Sequence, residues 1–64
     1  MIRVNGIDRP HVDESVDELL AREGVTPRGV AVAINGEVVS RSAWSSTRVV
    51  DGDAVEVVTA AAGG

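Results

Sequence analysis

The group in this sequence with the strongest claim to chemistry belongs to no side chain. The sequence ends Ala60-Ala61-Ala62-Gly63-Gly64, and no residue in that stretch carries a large or charged side chain. Such a thread fits a narrow channel, and glycine lets the backbone pass close to another protein. Desolvating it costs little except at its end. What arrives in a partner's site is then the main-chain carboxylate of Gly64, with Gly63 providing clearance and Ala60, Ala61 and Ala62 lining the approach. A carboxylate is a poor acyl donor until it is activated, typically by adenylation. The tail therefore predicts a protein that is itself a substrate. A Gly-Gly ending also suits a frayed terminus, and a motif this short matches by chance, so the rest of the chain must support the reading.

The side chains offer less. Asp13, Glu14, Asp17 and Glu18 form an acidic cluster with i, i+4 spacing. Acids at a helix N-terminus complement its dipole, and that reading outweighs a Mg²⁺ site or a basic partner, because catalytic carboxylates need a cleft that perturbs them. His11 has no oriented nucleophile near it in sequence and reads as a surface residue. One His and no Cys leave no plausible zinc site. Trp44, the only aromatic, is expected to cover the rim of the core with its N–H hydrogen-bonded outward. All six basic residues are Arg; the absence of Lys is most simply a composition bias. No catalytic residue and no metal ligand is assigned.

The elements that must position the tail are short. The chain has 64 residues, which allows one domain. Its core is thin, and it is too small for a deep catalytic cleft. Ten acidic against six basic residues make it a poor candidate for binding a nucleic-acid backbone. Ile2 and Val4 alternate with Arg3 and Asn5 as in a strand, and Asn5-Gly6 is a strong hairpin signal. Residues 7–12 are expected to return as the second strand, with Pro10 at an edge or bulge. Ser15-Val16-Asp17-Glu18 fits a capping box. Val16, Leu19 and Leu20 then form one apolar stripe on a helix over residues 16–23, closed by Gly24 with Val25 packing back. Such a short helix must lie on a sheet. Residues 30–34 are apolar throughout, as in a strand covered on both faces or with one face meant for a partner. Asn35-Gly36 repeats the hairpin signal before a strand at residues 37–39. Residues 40–50 read as polar and irregular, Asp51-Gly52-Asp53 as a tight turn, and residues 55–59 as the last strand.

Hairpin, helix, strands, final strand is an economical two-layer arrangement. The predicted fold class is α+β: a β-grasp with a mixed sheet of about four to five strands and one main helix on one face. Residues 1–59 form the domain and residues 60–64 the flexible tail. Parity along the last strand puts Val55, Val57 and Thr59 under the helix and Glu56 and Val58 on the opposite face. Val58 joins one set of side chains from residues 30–34 there, and an apolar patch on the free face of a small sheet marks an interaction site. Val58 is therefore the predicted partner-binding residue of the sheet.

Two stretches carry a resemblance. Val30-Ala31-Val32-Ala33-Ile34-Asn35-Gly36-Glu37-Val38-Val39 followed by Arg41-Ser42-Ala43-Trp44 resembles the central motif of the ThiS family, sulfur carriers of thiamin biosynthesis. Asp51-Gly52-Asp53, then Val55-Glu56-Val57-Val58-Thr59, then Gly63-Gly64 resembles its C-terminal motif. The early Val4-Asn5-Gly6 and the Leu19-Leu20 helix also fit. Ser40 stands where the family usually has Pro, and Ala62 where a third Gly is common; neither touches the terminal pair.

The resemblance implies a ubiquitin-like β-grasp and a protein that is not itself an enzyme. It implies that a ThiF-type partner uses ATP to adenylate Gly64, giving a transient acyl-adenylate. A persulfide sulfur donor then converts this to a thiocarboxylate, whose sulfur goes to thiazole synthase. No cofactor is bound in this scheme; the ATP is the partner's. Val58 matches a position on the partner-facing surface of ubiquitin-like folds. Carriers for molybdopterin or cysteine synthesis share the tail chemistry. A non-catalytic β-grasp binding module and a modifier forming isopeptide bonds are the readings from other classes. No export signal and no membrane span is apparent, which favours the cytoplasm.

Overall fold

A computed structural model describes residues 1–59. The tail assignment, with Ala60, Ala61, Ala62, Gly63 and Gly64, lies outside the described residues. The elements run β1 (Ile2–Val4), β2 (Ile7–Arg9), β3 (Glu14–Ser15), α1 (Val16–Arg22), β4 (Val30–Ile34), β5 (Glu37–Val39), a 3₁₀ helix (Arg41–Ser46), β6 (Arg48–Val49) and β7 (Ala54–Thr59). Two Asn-Gly dipeptides make the hairpins β1–β2 and β4–β5. Asn5 and Gly6 sit at φ 50° and 81°, and Asn35 and Gly36 at 51° and 83°. Type I′ turns require such paired positive angles.

The main sheet has five strands in the order β2-β1-β7-β4-β5. β7, last in sequence, is central; it runs parallel to β1 and antiparallel to β4. Among the described residues this is the predicted mixed sheet with one α-helix on one face. The helix starts as its sequence requires. Ser15 is the N-cap: its backbone N–H donates to Glu18 Oε1 at 2.8 Å, and its hydroxyl accepts from the Glu18 N–H, the reciprocal pair of a capping box. The helix stops at a Schellman motif, with the Val25 N–H donating to the Leu20 carbonyl at 2.8 Å and Gly24 at φ 75°. Val16, Leu19 and Leu20 are buried against Ile2, Val4, Val32 and Val55 of the sheet, with Val49 and Trp44 closing the core.

Two expectations change. The second strand ends at Arg9 rather than at residue 12, because β1 offers only Ile2, Arg3 and Val4 as partners and Pro10 has no N–H to continue a ladder. The stretch 40–50, expected to be irregular, contains the 3₁₀ helix and β6. β6 pairs antiparallel with β3 through Glu14↔Val49 and Ser15↔Arg48. This small ribbon ties the N-terminus of the helix to the segment that follows the 3₁₀ helix, and the Val16 N–H reaches the Thr47 carbonyl at 3.0 Å.

Candidate functional site

The face of the sheet away from the helix is built by strand parity. On β7, Val55 is buried and Val57 half-buried, whereas Ala54, Glu56 and Val58 are exposed; Thr59, expected under the helix, is exposed as well. Cross-strand registers extend the open face: Ala31 lies opposite Val58, and Ala33 lies opposite both Glu56 and Val38. Val58 is 60% exposed and Val38 75%. The two alanines between them keep the surface low, so the valines stand at its borders. Arg3, aligned with Ala54 and Asp8, adds a polar fringe, its guanidinium 3.3 Å from Asp8. Val58 is therefore on the free face, as parity predicts. It is joined there by Ala31, Ala33 and Val38, and Glu56 places a carboxylate among them.

The same strand leads to the tail. β7 pairs with β4 as far as Val30↔Thr59, so the free face and the point where residues 60–64 begin belong to one strand.

Most of the remaining candidates serve structure. Trp44 is buried and donates from Nε1 to the Val39 carbonyl at 3.0 Å, so its N–H is bonded within the domain. Arg41 lies over its ring, 5.0 Å from the centroid, and holds the Pro27 carbonyl at 2.6 Å. His11 is exposed, with Nε2 3.0 Å from the Val49 carbonyl.

The acidic cluster divides. Asp17 and Glu18 lie in the first turn of α1, where they complement the dipole. Asp13 pairs with Arg48 at 2.6 Å, and the Arg48 guanidinium holds its carboxyl below the usual carboxylate range. Glu14 is buried and takes both nitrogens of an Arg22 fork, Nε at 3.0 Å and Nη2 at 2.7 Å. That bidentate geometry is the strong form of the pair, and it raises the Arg22 pKa further above its ordinary value. Among the described residues no group of three or more His, Asp or Glu is placed to hold a metal ion.

A shallow groove of about 460 Å³ runs between β5 and the 3₁₀ helix. Thr47 in its lining is engaged locally, donating to the Ala43 carbonyl at 2.6 Å. No helix among the described residues is long and apolar enough to cross a membrane.

Sequence reading missed a set of side-chain bonds onto β7. Asn5 Oδ1 accepts from the Val57 N–H at 2.8 Å and Asn5 Nδ2 donates to the Val57 carbonyl at 3.1 Å. Asn35 Oδ1 accepts from the Ala54 N–H at 3.0 Å, while Asn35 Nδ2 donates to Asp53 Oδ1 at 3.0 Å. The signal was in the chain: both turns carry Asn where Gly or Asp would also accept positive φ.

The sequence model of the ThiS family matches residues 2–64. The chain belongs to the ThiS family. It is 38% identical over 64 residues to the "Sulfur carrier protein ThiS" of Thermus thermophilus, covering all of both chains. A crystal structure of the thiamine biosynthesis protein (ThiS) of Geobacter metallireducens superimposes with a TM-score of 0.84 at 39% identity. That superposition covers 98% of this chain and 97% of the other. The solution NMR structure of a thiamine biosynthesis protein from the same organism gives 0.77 at 39% identity, over 98% and 86% of the two chains. The five-stranded mixed sheet with one α-helix is the ubiquitin-like β-grasp of these proteins.

Proposed function

We propose that this chain is a sulfur carrier of thiamin biosynthesis, with Gly64 as the carrying residue. The observation that supports the reading best is a family match that runs to residue 64 and so includes Gly63 and Gly64. A ThiF-type partner adenylates the Gly64 carboxylate with ATP and releases pyrophosphate. The terminal sulfur of a persulfide donor attacks the acyl-adenylate and displaces AMP, giving an acyl disulfide. A thiol then cleaves its S–S bond, taking the donor's sulfur into a disulfide and leaving a thiocarboxylate on Gly64 that supplies thiazole synthase. The chain acts as a co-substrate in this scheme. Its own contributions are a rigid sheet face for docking, around Val58 and Val38, and a slender end: Ala60, Ala61 and Ala62 line the approach, and Gly63 lets the backbone pass. The apolar side chains on the exposed face favour docking by burial.

Intact-mass spectrometry tests the reading. Incubation with the adenylating partner, ATP and a sulfur donor is expected to replace one carboxylate oxygen by sulfur. An unchanged mass with a partner of verified activity refutes it. Removing Gly63 and Gly64 is expected to abolish the mass change while leaving the circular dichroism of the domain intact.

A further inference from the structure

The two Asn-Gly turns share a backbone conformation but bond to opposite ends of β7. β1 pairs with β7 only as far as Val4↔Val55. The Asn5 backbone N–H makes one more bond, to the Val55 carbonyl at 2.9 Å, and the chain then turns away into its hairpin. Peptide groups alternate in direction along a strand. Those of Val55 and Val57 therefore point toward β1, and those of Glu56 and Val58 toward β4. Past the end of β1, Val57 has a donor and an acceptor facing no backbone partner. The Asn5 side chain satisfies both, at 2.8 and 3.1 Å. A primary amide offers the same donor and acceptor as a peptide group. Asn5 thus prolongs the β1 side of the ladder by one step while its backbone leaves the sheet.

We propose that Asn5 is a positioning residue for the C-terminal carboxylate. Its side-chain amide fixes the course of β7 at Val57, on the strand from which the carrying end continues. This rests on the function proposed above. Five residues span at most about 18 Å, so Gly64 cannot act farther than that from the end of β7 at Thr59. β4 holds one flank of that strand end through Val30↔Thr59, and Asn5 holds the other. A reacting group misplaced by about 1 Å can lose on the order of 10²-fold in rate. Asn35 provides an internal control, because it makes the same turn but bonds Ala54 and Asp53 at the opposite end of β7.

The test compares Asn5→Gly, Asn5→Asp and Asn35→Gly in the full chain, with ATP–pyrophosphate exchange by the adenylating partner as readout. Glycine keeps the positive φ and removes the amide. Aspartate keeps the turn and the acceptor for the Val57 N–H. Rates are normalised to the folded fraction from circular dichroism. Asn5→Gly is expected to lower kcat by about tenfold with KM for the carrier changed by less than about twofold. Asn5→Asp is expected to recover part of the loss, and Asn35→Gly to leave both constants within about twofold.

Amide hydrogen exchange gives a readout independent of the partner. Asn5→Gly is expected to raise exchange at Val57 at least about tenfold while Leu19 and Val32 keep their protection. An Asn5→Gly loss no larger than that of Asn35→Gly, or unchanged protection at Val57, overturns the inference and leaves the proposed function standing. A wild-type chain that supports no exchange with an active partner overturns the proposed function, and the inference with it.

Discussion

Val55 and Val58 lie three residues apart on one strand and meet opposite surroundings. Val55 is 1% exposed beneath the helix, and Val58 is 60% exposed on the bare side of the same sheet. The same contrast separates Val32 from Val38 on neighbouring strands. Both faces of the sheet carry apolar side chains, yet only one is covered, and the open one has Glu56 on its central strand. The covered face has a helix with a stripe of Val16, Leu19 and Leu20 to receive it, and the open face has alanines, valines, the Glu56 carboxylate and the Arg3–Asp8 fringe. A small chain with one helix can bury only one side of its sheet. Leaving valines on the other has a cost in solubility, and the cost is understandable where that side is kept for a partner.

The comparison is broken most severely by emptying the covered face. Leu19→Ala is expected to destabilise the domain by about 3 kcal/mol through lost burial and the cavity left behind. Chemical denaturation measures this, and for a chain of this size it is a large share of the total stability. The same truncation on the two sides of β7 is a sharper contrast. Val55→Ala is expected to cost about 2 kcal/mol and Val58→Ala less than about 0.5 kcal/mol, because only the first removes buried methyl groups. Equal costs would mean that the two faces do not differ as described.

The open face reverses the ranking when the readout is association. Val58→Asp is expected to change stability little and to weaken binding of the adenylating partner by at least about tenfold, or about 1.4 kcal/mol, measured by calorimetry. A smaller loss would remove this face from the interface.

The smallest effect lies on neither face. The Met1 ammonium beside Asp51 holds that carboxyl below the usual carboxylate range, as Arg48 does for Asp13. A carboxyl whose pKa is depressed on folding stabilises above its unfolded value, near 4, and the contribution is lost as pH falls through the lower folded value. Asp51→Asn is expected to lower the pH 7 stability slightly and to make the stability curve shallower below about pH 4, so that variant and parent converge in acid. Thermal unfolding across that pH range reads it.

Much of the arrangement was legible in the residues. The capping box at Ser15 and Glu18, the Gly24 closure and both Asn-Gly turns are local devices, and each appears where its residues are. The outward parity of Val58 follows from a period of two that any strand must obey. The β3–β6 ribbon was not legible, because Glu14-Ser15 has no strand character until Arg48-Val49 is brought beside it. Glu14 looked like one more surface acid, and only the approach of Arg22 and the ribbon makes it a buried ion pair. The tail residues Gly63 and Gly64 rest on motif and family.

The sequence by itself determined where the chain turns, where its helix begins and ends, and which side of each strand is apolar. These follow from positive φ at Asn-Gly, from side-chain caps and from alternation, all acting within a few residues. Only the tertiary structure decided that the last strand is the central one, and that Asn5 serves it from 52 positions away. Such bonds depend on which strands close against one another, and no local preference of Asn5 or Val57 encodes that choice.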